Sequence, residues 1–379
     1  MKNLLSVLFF TICFFCVCCP HIIAQKQKDN FVIEGHLNNL NPSSKILLIR
    51  KIGEAIKVDS ANVLNGKFHF EGEADYPFPA QLILSQGNES MPSDQVTVYI
   101  EPGVVKIEGE DKVSNAKVSG SRTNDLNLEF QDRMTGIRQK RESIQKTFAD
   151  ASSEQKSSKV FIDSLDREYA NVIQEYNNMA LSFIAEHPDE ILSAYMLRSE
   201  LRMHPDNSAA HNAFSGLSES IKITPVGKDI EEIINKSRRV EIGKDAPDFS
   251  IQDMNGDIIN LSDFRGKYVL LNFWSPDCGN CKEEIPILKE NYNKYKDKGF
   301  VIVGIAVEDE SNKQKWLDAI KEYNLDWINA SDLKMWQSPI LELYNIRTVP
   351  HNLIINPSGK IVAKELHGDN LKQALERIL

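Results

Sequence analysis

Beyond its amino-terminal stretch the chain has almost no cysteine: of six in all, Cys13, Cys16, Cys18 and Cys19 lie in the apolar run 4–19, which leaves Cys278 and Cys281. That scarcity excludes a framework of structural disulfides, because a secreted chain stapled in this way carries several well-spaced pairs. A link between Cys278 and Cys281 would close almost no loop, so it removes little chain entropy as a staple. Zinc is disfavoured too, since a structural site takes about four ligands and the eight histidines are scattered, none paired beside the cysteines. Haem attachment needs His directly after the second cysteine, where Lys282 stands. Long apolar runs are missing after residue 19, so no transmembrane helix is expected there. A basic cluster is missing as well. With 44 Lys and Arg against 54 Asp and Glu, the formal net charge is −10, which argues against nucleic acid and anionic membrane surfaces as partners.

What is present begins with Lys2 and the run 4–19, which read as a secretory signal peptide, residues 1–24, cleaved after Ala24 in HIIAQ. Ile22, two places before that cut, is larger than usual for the site. The rival is a lipoprotein signal at Cys18 or Cys19, whose preceding residues CFFCVCC fit poorly. The mature chain is therefore expected in an oxidising compartment, the periplasm or cell envelope. Its length predicts two or three domains.

Residues 30–121 contain FVIEGHL, KILLIRK, KFHFEGE, AQLILS, QVTVYIEPG and VVKIEGE, short apolar or alternating runs between Asn, Gly and Pro turns. They predict an all-β unit, a sandwich. From 122 to 238 the period becomes helical, with Leu126, Phe130, Met134, Ile137, Ile144 and Phe148, then Leu165, Tyr169, Val172, Ile173, Tyr176 and Phe183. Core packing explains that spacing unaided; a partner groove is the sharper alternative. Residues 242–379 alternate strands and helices: a hairpin on a two-residue Asn255-Gly256 turn, the buried strand YVLLNFW, the cysteine segment, a helix broken by Pro286, then FVIVGIAV, KQKWLDAIKEY, HNLIIN, KIVAKEL and a final helix. The fold class is thus multi-domain α+β: a β-sandwich-like unit, a helical middle, and a layered α/β domain.

The chemistry sits in WSPDCGNCKEEIP. At the end of YVLLNFW, Cys278 falls at the start of a helix, where unpaired backbone N–H groups and the positive helix end favour thiolate over thiol. Cys278 is the candidate nucleophile. Cys281, one turn on, lies on the same helix face and can attack a mixed disulfide to close the enzyme's own bond. A peroxide-reducing cysteine would have proline upstream at a set position, but Leu271 and Trp274 occupy that position for Cys278 and Cys281 respectively.

Together GKDAPDF, LNFWSPDCGNCKEEIP, IRTVP and LIINPSGKIV make residues 242–379 resemble the thioredoxin-like domains of the TlpA and ResA type, within the AhpC/TSA-redoxin superfamily. NGKFHF and EPGVVKIEG resemble a β-rich domain of unassigned function common in bacterial envelope proteins. The first resemblance implies thiol-disulfide exchange with Cys278 nucleophilic, Cys281 resolving, and Pro350 in a cis peptide bond facing the disulfide. Glu284 corresponds to a glutamate of the ResA-type pattern that can shuttle the resolving thiol's proton; the plainer reading is a solvated helix charge paired with Lys. Trp274 either packs beside the site or is a core aromatic. Asp277 next to Cys278 should oppose its thiolate, unless solvent screens it. His351 offers a proton role or a surface hydrogen bond.

Cys278, Cys281, Pro350 and Glu284 are the expected site residues, with no cofactor and no metal. The resemblance implies protein dithiol or disulfide substrates in the envelope, apocytochromes among them, reduction as the direction, and a membrane thiol-disulfide electron donor. Two alternatives stay open: a non-catalytic envelope binding protein with an inert disulfide, and a redox sensor.

Overall fold

The structure, a computed structural model, describes residues 29–40, 44–52, 55–85 and 94–379. Residues 1–24, the expected signal peptide with its four cysteines, lie outside the described residues. Two compact units divide between Asp125 and Leu126.

In the first unit the strands are β1 (Asp29–Leu37), β2 (Lys45–Ile52), β3 (Ala55–Asn62), β4 (Lys67–Ala74), β5 (Phe78–Ser85), β6 (Gln95–Ile100), β7 (Gly103–Gly109) and β8 (Lys117–Ser119). They form two four-stranded sheets, ordered β4-β1-β7-β8 and β3-β2-β5-β6. Alternation decides the inner face: Phe31, Ile33, Phe68, Phe70, Val105 and Ile107 meet Ile46, Leu48, Leu82, Leu84, Val98 and Ile100 in one buried core. At Gly35 a Cβ would lie 2.0 Å from the Phe68 ring, so only glycine admits that ring. Asn65 and Gly66, both at positive φ, make a two-residue turn into β4, closed by paired Leu64 and Lys67 backbone bonds of 2.9 and 3.0 Å.

The second unit opens with helices α1 (Arg122–Arg133, which straddles the division), α2 (Thr135–Asp150), α3 (Ser153–Lys156), α4 (Lys159–Glu186), α5 (Ile191–Met203), α6 (Ser208–Gly216), α7 (Glu219–Lys222) and α8 (Pro225–Arg239). Thr224 caps α8 by accepting from Gly227 N at 3.2 Å, with Pro225 at the first helical position. The periodic apolar stripe is only half a core. Leu126, Phe130, Met134, Leu165, Val172 and Phe183 are buried, whereas α2 buries none of its residues and Phe148, Tyr169, Ile173 and Tyr176 are exposed.

The layered domain comprises β9 (Ser250–Gln252), β10 (Ile258–Asn260), β11 (Tyr268–Trp274), α9 (Gly279–Tyr295), β12 (Phe300–Ala306), α10 (Lys313–Tyr323), β13 (Ile328–Ala330), α11 (Pro339–Leu343), β14 (His351–Ile355), β15 (Ile361–Lys364) and α12 (Gly368–Ile378). Its sheet runs β13-β12-β11-β14-β15, with β11, β12 and β13 parallel and β14 and β15 antiparallel. Central β11 is covered on both faces, which is why it reads as an unbroken apolar run: Val269, Leu271 and Phe273 enter one core, Leu270 and Trp274 the other. Two sequence readings need correction. The β9–β10 turn is longer than two residues, because Asp253 accepts from the Asn255 and Asp257 amides at 2.8 and 2.9 Å and only Gly256 has positive φ. Pro286 does not break α9, which continues to Tyr295 with Ile285 and Leu288 anchored in the core on either side of it.

Candidate active site

Strand β11 ends at Trp274, and the chain turns through Ser275, Pro276 and Asp277 so that Cys278 becomes the N-cap of α9. The turn is held by Cys278 N donating to Ser275 O at 3.1 Å, and the helix opens with Lys282 N donating to Cys278 O at 3.2 Å. Cys278 Sγ accepts from Cys281 N at 3.1 Å, a contact that stabilises negative charge on that sulfur once the pair is reduced. The two cysteines form a disulfide with Cα atoms 5.2 Å apart. Their exposure differs: Cys278 is half-buried, Cys281 only 3% exposed within the apolar cluster that also holds Trp274, Ile285 and Leu288. Trp274 therefore fills both of the roles open to it, a core aromatic packed in the same cluster as the inner cysteine.

The Val349–Pro350 peptide is cis, and Val349 O lies 3.6 Å from Cys278 Sγ. Pro350 thus sits at the entrance to β14, beside the start of α9. His351 follows it into the sheet opposite Phe273, buried rather than on the surface. Its Nδ1 pairs with Glu365, while Nε2 is buried with no hydrogen-bond partner among the described residues.

Glu284 is not solvated, and among the described residues it is not paired with lysine. Its side chain, 16% exposed, pairs with His367 Nδ1, and His367 Nε2 lies 3.6 Å from Glu365 Oε2. Burial pushes the Glu284 carboxyl above the ordinary glutamate range; the charge and hydrogen bond of His367 pull against this, and Glu365 adds to it. For Glu365, burial likewise opposes ionisation, but the hydrogen bond and charge of His351, joined by His367, outweigh it and hold the carboxyl below its usual value.

Two further groups escaped the sequence reading. Lys315 of α10 pairs with Asp277, so the carboxylate beside Cys278 does not stand alone. Glu308, 3% exposed just past β12, accepts from Ser275 Oγ at 2.5 Å, and Ser275 Oγ accepts from Asp277 N at 3.1 Å. Burial raises its carboxyl; the Ser275 bond and Lys315 oppose the rise, while Asp277 and Asp309 assist it. The only sequence signal was an acidic run, Glu308-Asp309-Glu310, following an apolar strand. Among the described residues, no three His, Cys, Asp or Glu side chains are grouped to hold a metal ion.

The AhpC/TSA family matches residues 242–364, and a domain of unknown function (DUF4369) matches residues 31–127. The thiol-disulfide oxidoreductase ResA of Bacillus cereus is 35% identical over 145 residues, 38% of this chain and 80% of that protein. The ResA of Geobacillus thermodenitrificans is 32% identical over 143 residues, 37% of this chain and 79% of that protein. Among solved structures, the thioredoxin domain of a thiol-disulfide oxidoreductase from Bacteroides vulgatus aligns at 39% identity and TM-score 0.34, covering 36% of this chain and 96% of that one. Spanning four-fifths of ResA at such identity, the chain belongs to the ResA-like thiol-disulfide oxidoreductases of the AhpC/TSA family.

Proposed function

We propose that the chain reduces disulfides of other proteins in the bacterial envelope, exported by its amino-terminal signal and recharged by a dithiol donor in the membrane. In the reduced protein, the Cys278 thiolate attacks a substrate disulfide: a Cys278–substrate S–S bond forms, the substrate's own bond breaks, and the departing sulfur takes a proton. Cys281 then gives its proton to the Glu284 carboxylate and attacks Cys278 Sγ. The enzyme disulfide forms, the mixed bond breaks, and the second substrate sulfur leaves as a thiolate that is protonated in turn. Two electrons pass from the enzyme dithiol to the substrate. The backbone edge beside Pro350 lies next to Cys278 and offers pairing to an extended substrate segment.

The observation that carries this reading is the disulfide joining a half-buried sulfur at a helix start to a buried one a turn later. Only the outer sulfur meets a substrate, so attack and resolution are divided between the two. The direction rests on the likeness to ResA. In the full chain, Cys281→Ser should accumulate mixed disulfides through Cys278, Cys278→Ser should accumulate none, and the couple equilibrated against glutathione should be more reducing than the envelope's poise. A disulfide that strong reductants leave closed, or turnover that survives Cys278→Ser, would sink the proposal.

A further inference from the structure

A chain of acid and base groups leads away from the inner cysteine. Glu284 lies one helical turn beyond Cys281 on α9 and pairs with His367 Nδ1; His367 Nε2 faces Glu365; and Glu365 pairs with His351 on β14. Exposure rises outward, from 3% at Cys281 to 16% at the Glu284 side chain and 37% at that of His367. The segment carrying the outer groups is firmly held. Buried Asn352 accepts from Leu366 N at 3.0 Å and donates to Leu366 O at 2.7 Å, and Glu365 N donates to Asn352 O at 2.9 Å.

An ion pair alone does not need this arrangement. The His367 ring bridges two carboxylates, with Nδ1 hydrogen-bonded to Glu284 and Nε2 standing 3.6 Å from Glu365 Oε2, so each ring nitrogen faces a group that can exchange a proton with it. Imidazole, unlike a lysine or arginine, also gives up a proton near neutral pH. His367 is the N-cap residue of α12 yet makes no side-chain capping bond, so its placement serves the carboxylates rather than the helix. Other charged groups near the chain are engaged elsewhere: Lys364 of β15 pairs with Asp206, and Glu290 of α9 pairs with Lys372 of α12 at 3.3 Å. Asp369 in the first turn of α12 adds a further negative charge close to His367.

We propose that His367 is a positioning residue for thiol-disulfide exchange: fixed between Glu284 and Glu365, it passes to solvent the proton that Glu284 takes from Cys281, and returns one when the couple is reduced. The inference rests on the reading of Glu284 as proton acceptor. When Cys281 closes onto Cys278, one S–S bond forms, the mixed S–S bond breaks, and the Cys281 proton moves to Glu284. Transfer onward to His367 and then to water resets the carboxylate for the next turnover.

The test uses the full chain, reduced and then oxidised by glutathione disulfide in a stopped-flow instrument, with tryptophan fluorescence reporting closure from pH 4.5 to 9. Glu284→Gln should abolish the ionisation that governs the acid limb; an unchanged profile there refutes the acceptor reading itself. His367→Gln removes a cation that favours ionised Glu284, so the acid limb should move up by about one pH unit, and the plateau should fall about tenfold or more through loss of the relay. His367→Arg keeps the charge but holds its proton, so the limb should return towards wild type while the plateau stays low. Wild-type behaviour of His367→Gln overturns the proposal while Glu284→Gln still shows its effect. Full rescue by Arg also overturns it, reducing His367 to a fixed charge. Urea midpoints of each variant in both redox states separate these outcomes from loss of fold.

Discussion

Lys315 sits across from Asp277, and the pair settles how much the carboxylate next to Cys278 matters. Both side chains are about half exposed, 50% and 59%, so the attraction is modest and sensitive to salt. Lys315→Met leaves Asp277 uncompensated, which disfavours the neighbouring thiolate. Alkylation of reduced Cys278 should slow by about two- to fivefold at low ionic strength and recover at high salt; an effect indifferent to salt would refute the electrostatic cause. Glu308 poses the opposite problem, a carboxyl that burial holds above its ordinary range. A group with a raised folded value gives its full stabilisation below the unfolded value and loses it as pH climbs through the folded one. Glu308→Gln has no such loss and can still accept from Ser275. Its urea midpoint should therefore gain on wild type between pH 5 and pH 8, and parallel curves would show that the carboxyl ionises without cost in the fold.

Among elements, β14 does the most for the site, since one strand carries Pro350 at its entrance, His351, and the Asn352 side chain that clamps Leu366. Asn352→Ala leaves the part-buried N–H and C=O of Leu366 without their side-chain partner, a cost of about 1–3 kcal/mol. Urea unfolding should show that loss, and the pH profile of exchange should shift with it because the segment bearing Glu365 and His367 is released. Stability lost with an unaltered profile would separate the clamp from the chemistry. This element also marks where sequence stopped being informative. Local patterns carried far: β11 was legible from its apolar run and the helix-start position of Cys278 from the segment around it, whereas the cis bond at Pro350 came from the resemblance that IRTVP helps to carry. Partnerships across the fold were not legible, because Glu284 meets His367 across 83 residues and Asp277 meets Lys315 across 38, with no periodicity linking either pair. The two Asn-Gly pairs make the same point. Asn65-Gly66 forms the tight turn that its sequence favours, whereas at Asn255-Gly256 the carboxylate of Asp253 gathers the amides into a longer one.

At the scale of the molecule, the helices of the middle segment and the layered domain form one compact unit, and particular residues explain why. Val240, just past α8, is fully buried in the core that contains Phe273 and Tyr344. Asp206, between α5 and α6, accepts from Ser237 and pairs with Lys364, the residue before Glu365; Lys236 reaches Glu342 at 3.1 Å. The middle segment is therefore braced against the strand that delivers the Glu365–His367 segment. A fragment 126–379 retains this brace, whereas a fragment 242–379 loses Val240, worth about 1.5–3 kcal/mol of burial, and leaves Lys364 without Asp206. The longer fragment should match the full chain in its rate of exchange with a small disulfide and in its pH profile. The shorter one should unfold at lower urea, and a freed Lys364 cation next to Glu365 should alter the acid limb of its exchange reaction. Equal urea midpoints for the two fragments would mean that the helices contribute nothing to the layered domain, and that their role lies with partners instead.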